Sequence, residues 1–281
     1  MPTYEVESIR FADTTADQTP GGLSWYARGQ NFLVGYSVLE PGAVLRSPDL
    51  ELEHMIGVVE GTLQIESKSG SGQSHADAIV IAPPNGCVIR AVDRAILFRV
   101  FAPAPPEFAG VCANWASYDV PRDNVAPFEP WPAPPDGDKL RVYQYDQMPV
   151  GSRKVFRSRN IMVNWEGHPG GPVRDLKRFT PHSHDDFEQG SLELWGSYVH
   201  HLRYPWEADF TAWRPDQRLS VSPAGLTIMP VNVIHTSQGL DERNCLADIF
   251  APPRLDFSRA GYVYNDLEYP MPEAAKKTVK S

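Results

Sequence analysis

The stretch 181-PHSHDDFEQGSLELWG-196 carries two histidines one residue apart, followed by a strand-like run that ends at glycine. Successive side chains of a β-strand point to opposite faces, so His182 and His184 share a face and can present two imidazoles to one ion. A third histidine, His235, follows a strand, a proline and a turn in 230-PVNVIH-235, which is expected to bring it to a neighbouring strand that faces the same interior. Neutral imidazoles are good ligands for divalent transition metals. The sequence therefore predicts a metal site in this part of the chain.

The fourth ligand is either Glu188 or Gln189. Strand parity favours Glu188, because positions 182, 184 and 188 lie on one face if the strand is regular. A bulge or turn at Asp185 and Asp186 would shift the parity by one residue and turn Gln189 inward instead. Gln189 would leave the full charge of the ion available to polarise a bound oxygen, whereas Glu188 would moderate that charge.

These motifs resemble those of the cupin superfamily. Its first motif combines an HxH pair, an acid or amide and a glycine, and its second combines a glycine, a proline and a histidine. The matching residues are His182, His184, Gln189, Gly196, Gly225, Pro230 and His235. The second motif is one residue short, and Asn232 stands where the family has glycine. The resemblance implies an all-β fold of jelly-roll barrels of the RmlC-like kind, with Gln189 as the fourth ligand.

The chain also repeats itself. The string 97-LFRVFAPAPPEF-108 returns as 246-LADIFAPPRLDF-257, and 54-HMIGVVEGTL-63 aligns with 189-QGSLELWGSY-198. Related segments in the same order indicate a duplicated supersecondary unit. With the cupin resemblance, the repeat implies a bicupin: two tandem barrels in one chain.

The domain boundaries are predicted from composition. Residues 120–138 contain many prolines, which are excluded from helix interiors and central strands, so this segment is expected to be a semi-rigid connector. We expect residues 1–119 to form an N-terminal barrel and residues 139–281 a C-terminal barrel. The alternating segments 3–13 and 139–149 are expected to open each half with an edge strand.

The first half lacks a comparable metal site. His54 has no HxH pair before it, and Ile89 stands where the second motif would place a ligand histidine. We therefore expect a metal-free N-terminal barrel that serves packing or dimerisation. One divalent metal per chain follows, with Zn, Fe, Ni and Mn as candidates.

Composition excludes several classes of function. A formal net charge of −9 argues against a nucleic-acid partner, and no window has the uninterrupted apolar length of a membrane span. The first residues lack the pattern of a signal peptide, so a cytoplasmic protein is expected. Cys87, Cys112 and Cys245 are widely spaced, which favours buried reduced thiols. The unpaired edges of two barrels favour a homodimer or a higher homo-oligomer.

Further site residues are suggested by their position beside the histidines. The candidate bases are His200, His201 and Glu188, and the candidate substrate-binding residues are Arg174, Arg178, Arg203 and Trp195. Only one of the two adjacent histidines is expected to face the barrel interior. The basic residues would equally suit a solvated edge. Asp248 either orients a ligand histidine or forms a salt bridge with Arg99.

Three functions are consistent with such a site. The first is a metal-dependent isomerase or lyase that acts on a small oxygenated acid, such as a uronate-like acid or a keto acid, by Lewis-acid stabilisation of an enolate. The second is an Fe(II) or Ni(II) dioxygenase that cleaves a diketone or a dihydroxy compound. The third is a module that binds a small ligand without turnover. Gln189 as a ligand favours the first and Glu188 favours the second, and the expected partner is a small anionic substrate.

Overall fold

The computed structural model describes residues 4–168 and 173–273 of the 281-residue chain. Nearly all of its regular structure is β-strand, which confirms the predicted all-β class. The strands of the first half are β1 (Glu7–Arg10), β2 (Asp17–Thr19), β3 (Gly22–Arg28), β4 (Leu33–Leu39), β5 (Val44–Arg46), β6 (His54–Glu60), β7 (Thr62–Ser67), β8 (Gly70–His75), β9 (Ala78–Ala82), β10 (Cys87–Ala91) and β11 (Ala95–Phe101). Those of the second half are β12 (Arg141–Gln144), β13 (Val155–Arg157), β14 (Met162–His168), β15 (Gln189–Trp195), β16 (Tyr198–Arg203), β17 (Gln217–Val221), β18 (Gly225–Met229), β19 (Ile234–Gly239) and β20 (Asn244–Phe250), followed by the short helix α1 (Leu255–Arg259).

These strands form four sheets. A seven-stranded sheet in the order β12-β9-β6-β11-β4-β3-β2 and a four-stranded sheet in the order β5-β10-β7-β8 contain most strands of the first half. A six-stranded sheet in the order β1-β18-β15-β20-β14-β13 and a three-stranded sheet in the order β17-β16-β19 contain most strands of the second half. Every pairing between these strands is antiparallel, so each half is built from a large and a small sheet.

The first strand of each half lies in the sheet of the other half. β1 pairs with β18 and β12 pairs with β9, each at the edge of its sheet. The edge strands expected in 3–13 and 139–149 are therefore present, and each joins the sheet of the other half. An edge strand offers unpaired backbone groups that any strand of suitable length can satisfy, so local sequence does not determine which sheet it joins.

Apolar side chains cover both faces of the seven-stranded sheet. The four-stranded sheet covers one face of the seven-stranded sheet through residues such as Ile56, Leu63 and Ile89. The six-stranded sheet covers the other face through a larger cluster that includes Phe98 and Trp165. This double coverage explains why β6, β9 and β11 are apolar along almost their whole length instead of alternating.

The core of the second half is different. A small apolar cluster that includes Leu202, Tyr204, Met229 and Val233 lies between the six-stranded and three-stranded sheets. Polar side chains occupy much of the remaining interior on β15, β18 and β20. The interior of the first half therefore consists mainly of apolar side chains, whereas the interior of the second half also contains polar side chains.

The predicted connector runs across both halves without helix or strand. Its backbone bonds to the segment that precedes β15, from Ala126 N–H to the Asp186 carbonyl at 2.7 Å. Its Ala126 carbonyl accepts from the Asn31 amide at 3.0 Å. The connector therefore helps to fix the loop that carries the histidine pair. Within 4–168 and 173–273, no helix has the length and apolar character needed to cross a membrane.

Candidate metal centre

The three predicted histidines come together at one end of the second half. Candidate ligand atoms of His182, His184 and His235 all lie within 4.8 Å of one another, and the ring centroids are 4.5 to 5.2 Å apart. A two-way backbone pairing holds His182 beside His235, with N–H to carbonyl distances of 3.1 and 2.8 Å. The triad therefore has the composition and compactness of a metal site.

Backbone carbonyls orient two of these rings. The Nδ1 of His182 lies 2.9 Å from the Thr180 carbonyl, and the Nδ1 of His235 lies 2.9 Å from the Val233 carbonyl. A carbonyl only accepts, so each Nδ1 donates its N–H and the neutral ring keeps an unprotonated Nε2. Rings held in this way present Nε2 as a ligand for an ion.

Gln189 faces the triad with its side-chain oxygen. Its Oε1 lies 2.9 Å from His184 Nε2 and 3.3 Å from His235 Nε2. Its Nε2 donates to Ser191 Oγ at 3.0 Å and to Asp248 Oδ1 at 2.8 Å. A carboxylate cannot donate, so the amide group must turn its nitrogen toward Asp248 and its oxygen toward the histidines.

Burial keeps the inner histidines neutral. Removal from water lowers the pKa of His184 to about 3 and that of His235 to about 4, because the charged imidazolium is disfavoured in a poorly solvated interior. His182 is exposed and faces the outside of the cluster. The neutral imidazole is the form that binds a metal ion, so the two buried rings are ready to bind well below neutral pH.

The structure directs Glu188 away from the histidines. Its carboxylate is buried against the Arg122 guanidinium, accepts from the Gln30 backbone N–H at 2.7 Å and from Tyr118 Oη at 3.3 Å. Burial raises the pKa of Glu188, and the adjacent guanidinium opposes that rise. Glu188 therefore holds the connector against the second half and reaches neither the ligand position nor the role of base considered for it.

The reason lies in the backbone before β15. His182 belongs to an isolated bridge, and the chain bends at Asp185 and Asp186 before β15 begins at Gln189. Strand parity does not carry through a bend, so positions 182, 184 and 188 do not share a face. This is the shift that the sequence left open.

Only one of the two adjacent histidines faces the interior, as predicted. His200 is fully buried, with Nε2 2.9 Å from Glu193 Oε1 and Nδ1 2.9 Å from Ser237 Oγ. His201 lies on the outer face of β16, where its Nε2 is 2.9 Å from Gln238 Oε1. His201 therefore lies on the opposite face of β16 from His200 and the buried interior of the second half.

Glu193 is an interior acid that the sequence reading missed. It lies on the same face of β15 as Gln189, and its Oε1 accepts from Thr227 Oγ1 at 3.1 Å as well as contacting His200. Burial raises its pKa, with the His200 contact opposing the rise. Alternation along the strand from Gln189 through Ser191 could have identified it.

The four predicted substrate-binding residues are scattered. Arg203 forms a bidentate pair with Asp216 at 2.8 and 2.6 Å on the surface, and Arg178 is exposed. Arg174 donates to Thr180 Oγ1 at 2.8 Å, close to the histidine loop. Trp195 lies at the far end of β15, about 20 Å along the strand from Gln189, so it does not line the site.

A surface cleft adjoins the triad. It has a volume of about 430 Å³ and is lined by Pro181, His201, Arg203, Arg218, Ile234 and His235, among others. His235 thus contributes both to the triad and to the cleft wall. Arg203 in this wall is paired with Asp216, which also lines the cleft, so Arg218 supplies the positive charge that suits an anionic ligand.

Comparison with known proteins identifies the fold. No protein-family model and no curated protein matches the sequence. Among solved structures, protein Ylba from E. coli superposes with a TM-score of 0.59 at 11% identity, covering 89% of this chain and 91% of that one. Oxalate decarboxylase from Lactobacillus farciminis, in a formate complex, gives 0.60 at 12% identity over 92% of each chain. AerE from Microcystis aeruginosa gives 0.55 at 14% identity over 85% of this chain and 97% of that one.

These similarities rest on shape, because so few residues are identical. Ylba and oxalate decarboxylase are cupin-fold proteins, and both superpose over most of this chain. The predicted cupin resemblance is thereby confirmed at the level of the fold. This chain has the cupin fold and carries a histidine triad that could bind a metal ion.

Proposed function

We propose that this protein is a metal-dependent bicupin that acts as an isomerase or lyase on a small oxygenated acid. One divalent ion per chain would be held by His182, His184, His235 and Gln189 in the C-terminal barrel. The observation that carries the proposal is the orientation of the Gln189 amide, whose nitrogen is bound to Asp248 and whose oxygen faces two histidine nitrogens. The paired large and small sheets of each half support the two-barrel arrangement.

The proposed ligands are all neutral. Three imidazoles and an amide would leave the full charge of the ion available, so a bound divalent ion would supply a Lewis acid for carbonyl and carboxylate oxygens and stabilise an enolate. The protein's own part is to keep His184 and His235 deprotonated by burial and to fix Gln189 through Asp248.

The surroundings suit a small acid. The cleft beside His235 has Arg218 in its wall, next to the Arg203–Asp216 pair, and this arginine would attract a carboxylate. Among the interior side chains, His200 backed by Glu193 is the remaining candidate for storing or moving a proton. The similarity to enzymes named oxalate decarboxylase agrees with a small carboxylic acid as substrate, although it rests on the fold alone.

Solvent deuterium exchange tests this proposal directly. Protein loaded with Zn, Mn, Ni or Fe(II) is incubated in D₂O with small keto acids and uronic acids, and proton NMR follows the C–H next to the carbonyl. We expect that signal to disappear with the wild type and to persist with His235→Ala under the same conditions. Exchange follows enolate formation and needs no oxidant, so it separates this reaction from oxygenation.

A dioxygenase would give a different result. Oxygen uptake with a diketone in the Fe(II)- or Ni(II)-loaded protein, with no exchange of any acid tested, would contradict the isomerase or lyase proposal. Tight binding of an acid without exchange or oxygen uptake would contradict enzymatic function altogether. His75→Ala is the matched control, because that exposed imidazole lies on β8 of the first half, outside the triad and its cleft, and should leave exchange intact.

A further inference from the structure

Arg99 is a buried cation without an acidic partner. Four arginines are at least nine-tenths buried, and three of them have a carboxylate within 4.0 Å: Arg122, Arg141 and Arg157. Arg99 is fully buried on β11, and no ion pair links it to any acid in the described part of the chain. A buried guanidinium is strongly disfavoured unless an opposite charge offsets it. The charge of Arg99 therefore has to be offset by something other than an acidic side chain of the described residues.

The neutral groups around Arg99 satisfy it only in part. Its Nη2 donates to Tyr26 Oη at 2.7 Å and its Nη1 to the Arg46 carbonyl at 3.3 Å. Its Nε is buried without a hydrogen-bond partner in the described residues. The same holds for Nδ1 of the neighbouring His54, whose Nε2 lies 3.6 Å from Cys87 Sγ. Two unpartnered donors or acceptors thus lie in the interior of the first half.

The internal repeat relates this place to the candidate metal centre. His54 opens β6 as Gln189 opens β15, and Arg99 is the fifth residue of β11 as Asp248 is the fifth of β20. In the second half, the neutral Gln189 amide is hydrogen-bonded to the Asp248 carboxylate. In the first half, the corresponding residue is His54, which lies near the Arg99 guanidinium. The charged residue at this position is therefore positive in the first half and negative in the second. A position that favours a cation in one half should favour an anion in the other.

A surface cleft reaches Tyr26, the residue whose hydroxyl is hydrogen-bonded to Arg99. It has a volume of about 510 Å³, and its lining includes Tyr26, Arg46, Arg90, Leu45 and Phe108. Tyr26 therefore contacts both the cleft and the Arg99 guanidinium. Arg46 and Arg90 outnumber Asp17 among the charged residues of its lining, and this excess of positive charge would attract an anion from solution.

We propose that the N-terminal half binds a small carboxylic acid at the inner end of this cleft, with Arg99 as its counter-charge. The planar fork of a guanidinium matches the two oxygens of a carboxylate. Leu45 and Phe108 give the cleft apolar surface that suits the carbon chain of an organic acid better than a compact, strongly hydrated inorganic ion. This half would then be a ligand site in its own right, beyond the packing role expected of it.

The test is a titration of thermal stability with sodium acetate at constant ionic strength, with sodium chloride and sodium phosphate as separate arms. A ligand that binds the folded state raises the melting temperature with the logarithm of its concentration. We expect acetate to give a saturable rise that chloride and phosphate do not give. The rise should persist in His235→Ala, because that variant alters only the second-half cluster.

Arg99→Met should abolish the acetate response, while Arg94→Met, which removes an exposed arginine outside the cleft, should keep it. If Arg99→Met does not fold, Arg99→Lys serves instead: it keeps the charge without the fork and should weaken the apparent affinity about tenfold. An acetate response that survives in Arg99→Met, or that keeps the wild-type apparent affinity in Arg99→Lys where Arg99→Met does not fold, would overturn the proposal, as would a response that disappears in His235→Ala. An equal response to phosphate would overturn the assignment to carboxylic acids, and no response to any anion would overturn the site itself.

Discussion

Replacing Asp248 with asparagine should weaken metal binding without removing any proposed ligand. Asp248 Oδ1 accepts from Gln189 Nε2 at 2.8 Å and from Ser191 Oγ at 2.7 Å. Because the carboxylate only accepts, it allows one orientation of the Gln189 amide. Asparagine can donate as well as accept, so Gln189 could turn and present its NH₂ group to the histidines. The buried negative charge behind the proposed ion would also be lost.

The size of the effect follows from these two losses. Removing a group that orients a metal ligand typically costs a factor of about 10 to 100 in metal affinity. That range corresponds to about 1.4–2.7 kcal/mol of binding free energy. The side-chain volume is almost unchanged, so the fold and the three histidines should stay in place. The loss should therefore be in affinity rather than in stoichiometry.

Competition with a chromophoric chelator at pH 7.5 measures this loss for Zn and Mn. Ser191→Ala is the matched control: it removes one hydrogen bond to Asp248 and one from Gln189 Nε2, but it keeps the carboxylate that can only accept and that therefore orients the Gln189 amide. We expect Ser191→Ala to lose much less affinity than Asp248→Asn. Wild-type affinity in Asp248→Asn, with circular dichroism unchanged, would refute the reasoning that this carboxylate orients a ligand.

Three further predictions concern charge, pH and backbone. Glu188→Gln should retain the metal but lose about 1.5–3 kcal/mol of unfolding free energy, measured by urea denaturation, because it removes one of the two carboxylates that pair with the buried Arg122 guanidinium and leaves only Glu7; loss of the metal in this variant would contradict its assigned position. Burial lowers the pKa of His184 to about 3 and that of His235 to about 4, against about 6.5 in the unfolded chain. The unfolded chain therefore binds more protons between these values, and the metal-free protein should lose stability as the pH falls from about 6.5 toward 4. Equal urea midpoints at pH 7 and pH 5 would be inconsistent with those shifts. Gly196→Ala should lose more than about 2 kcal/mol of unfolding free energy in urea denaturation, because the residue has a φ of +73° and its new Cβ would collide with a backbone carbonyl. Gly42→Ala, with a φ of +81° and open space around it, should lose about 1–2 kcal/mol in the same assay.

Much of the candidate site could be predicted from sequence because its signals are local. The HxH pair and the spacing to glycine lie within one short stretch, and a second motif supplies His235. Gln189 was preferred to Glu188 from motif spacing, and the bend at Asp185 and Asp186 explains why simple parity pointed the other way. Glu193 follows from alternation along β15 once Gln189 is known to face inward.

What the sequence could not reveal depends on partners far along the chain. The role of Glu188 is determined by Arg122 in the connector, and no spacing rule links two residues so far apart. The exchange of β1 and β12 between halves has the same origin, since edge strands pair wherever a suitable edge is open. That Arg99 donates to a hydroxyl and a carbonyl instead of pairing with an acid also depends on residues distant in sequence.

The most direct test of a metal centre in the second half is elemental mass spectrometry of protein purified without added metal, comparing the wild type with Gln189→Ala, His235→Ala and Glu188→Gln. We expect close to one divalent transition metal per chain in the wild type and in Glu188→Gln, a strong reduction in Gln189→Ala and almost none in His235→Ala. Equal metal content in the wild type and His235→Ala, or loss of the metal in a folded Glu188→Gln with retention in Gln189→Ala, would contradict the proposed ligand set.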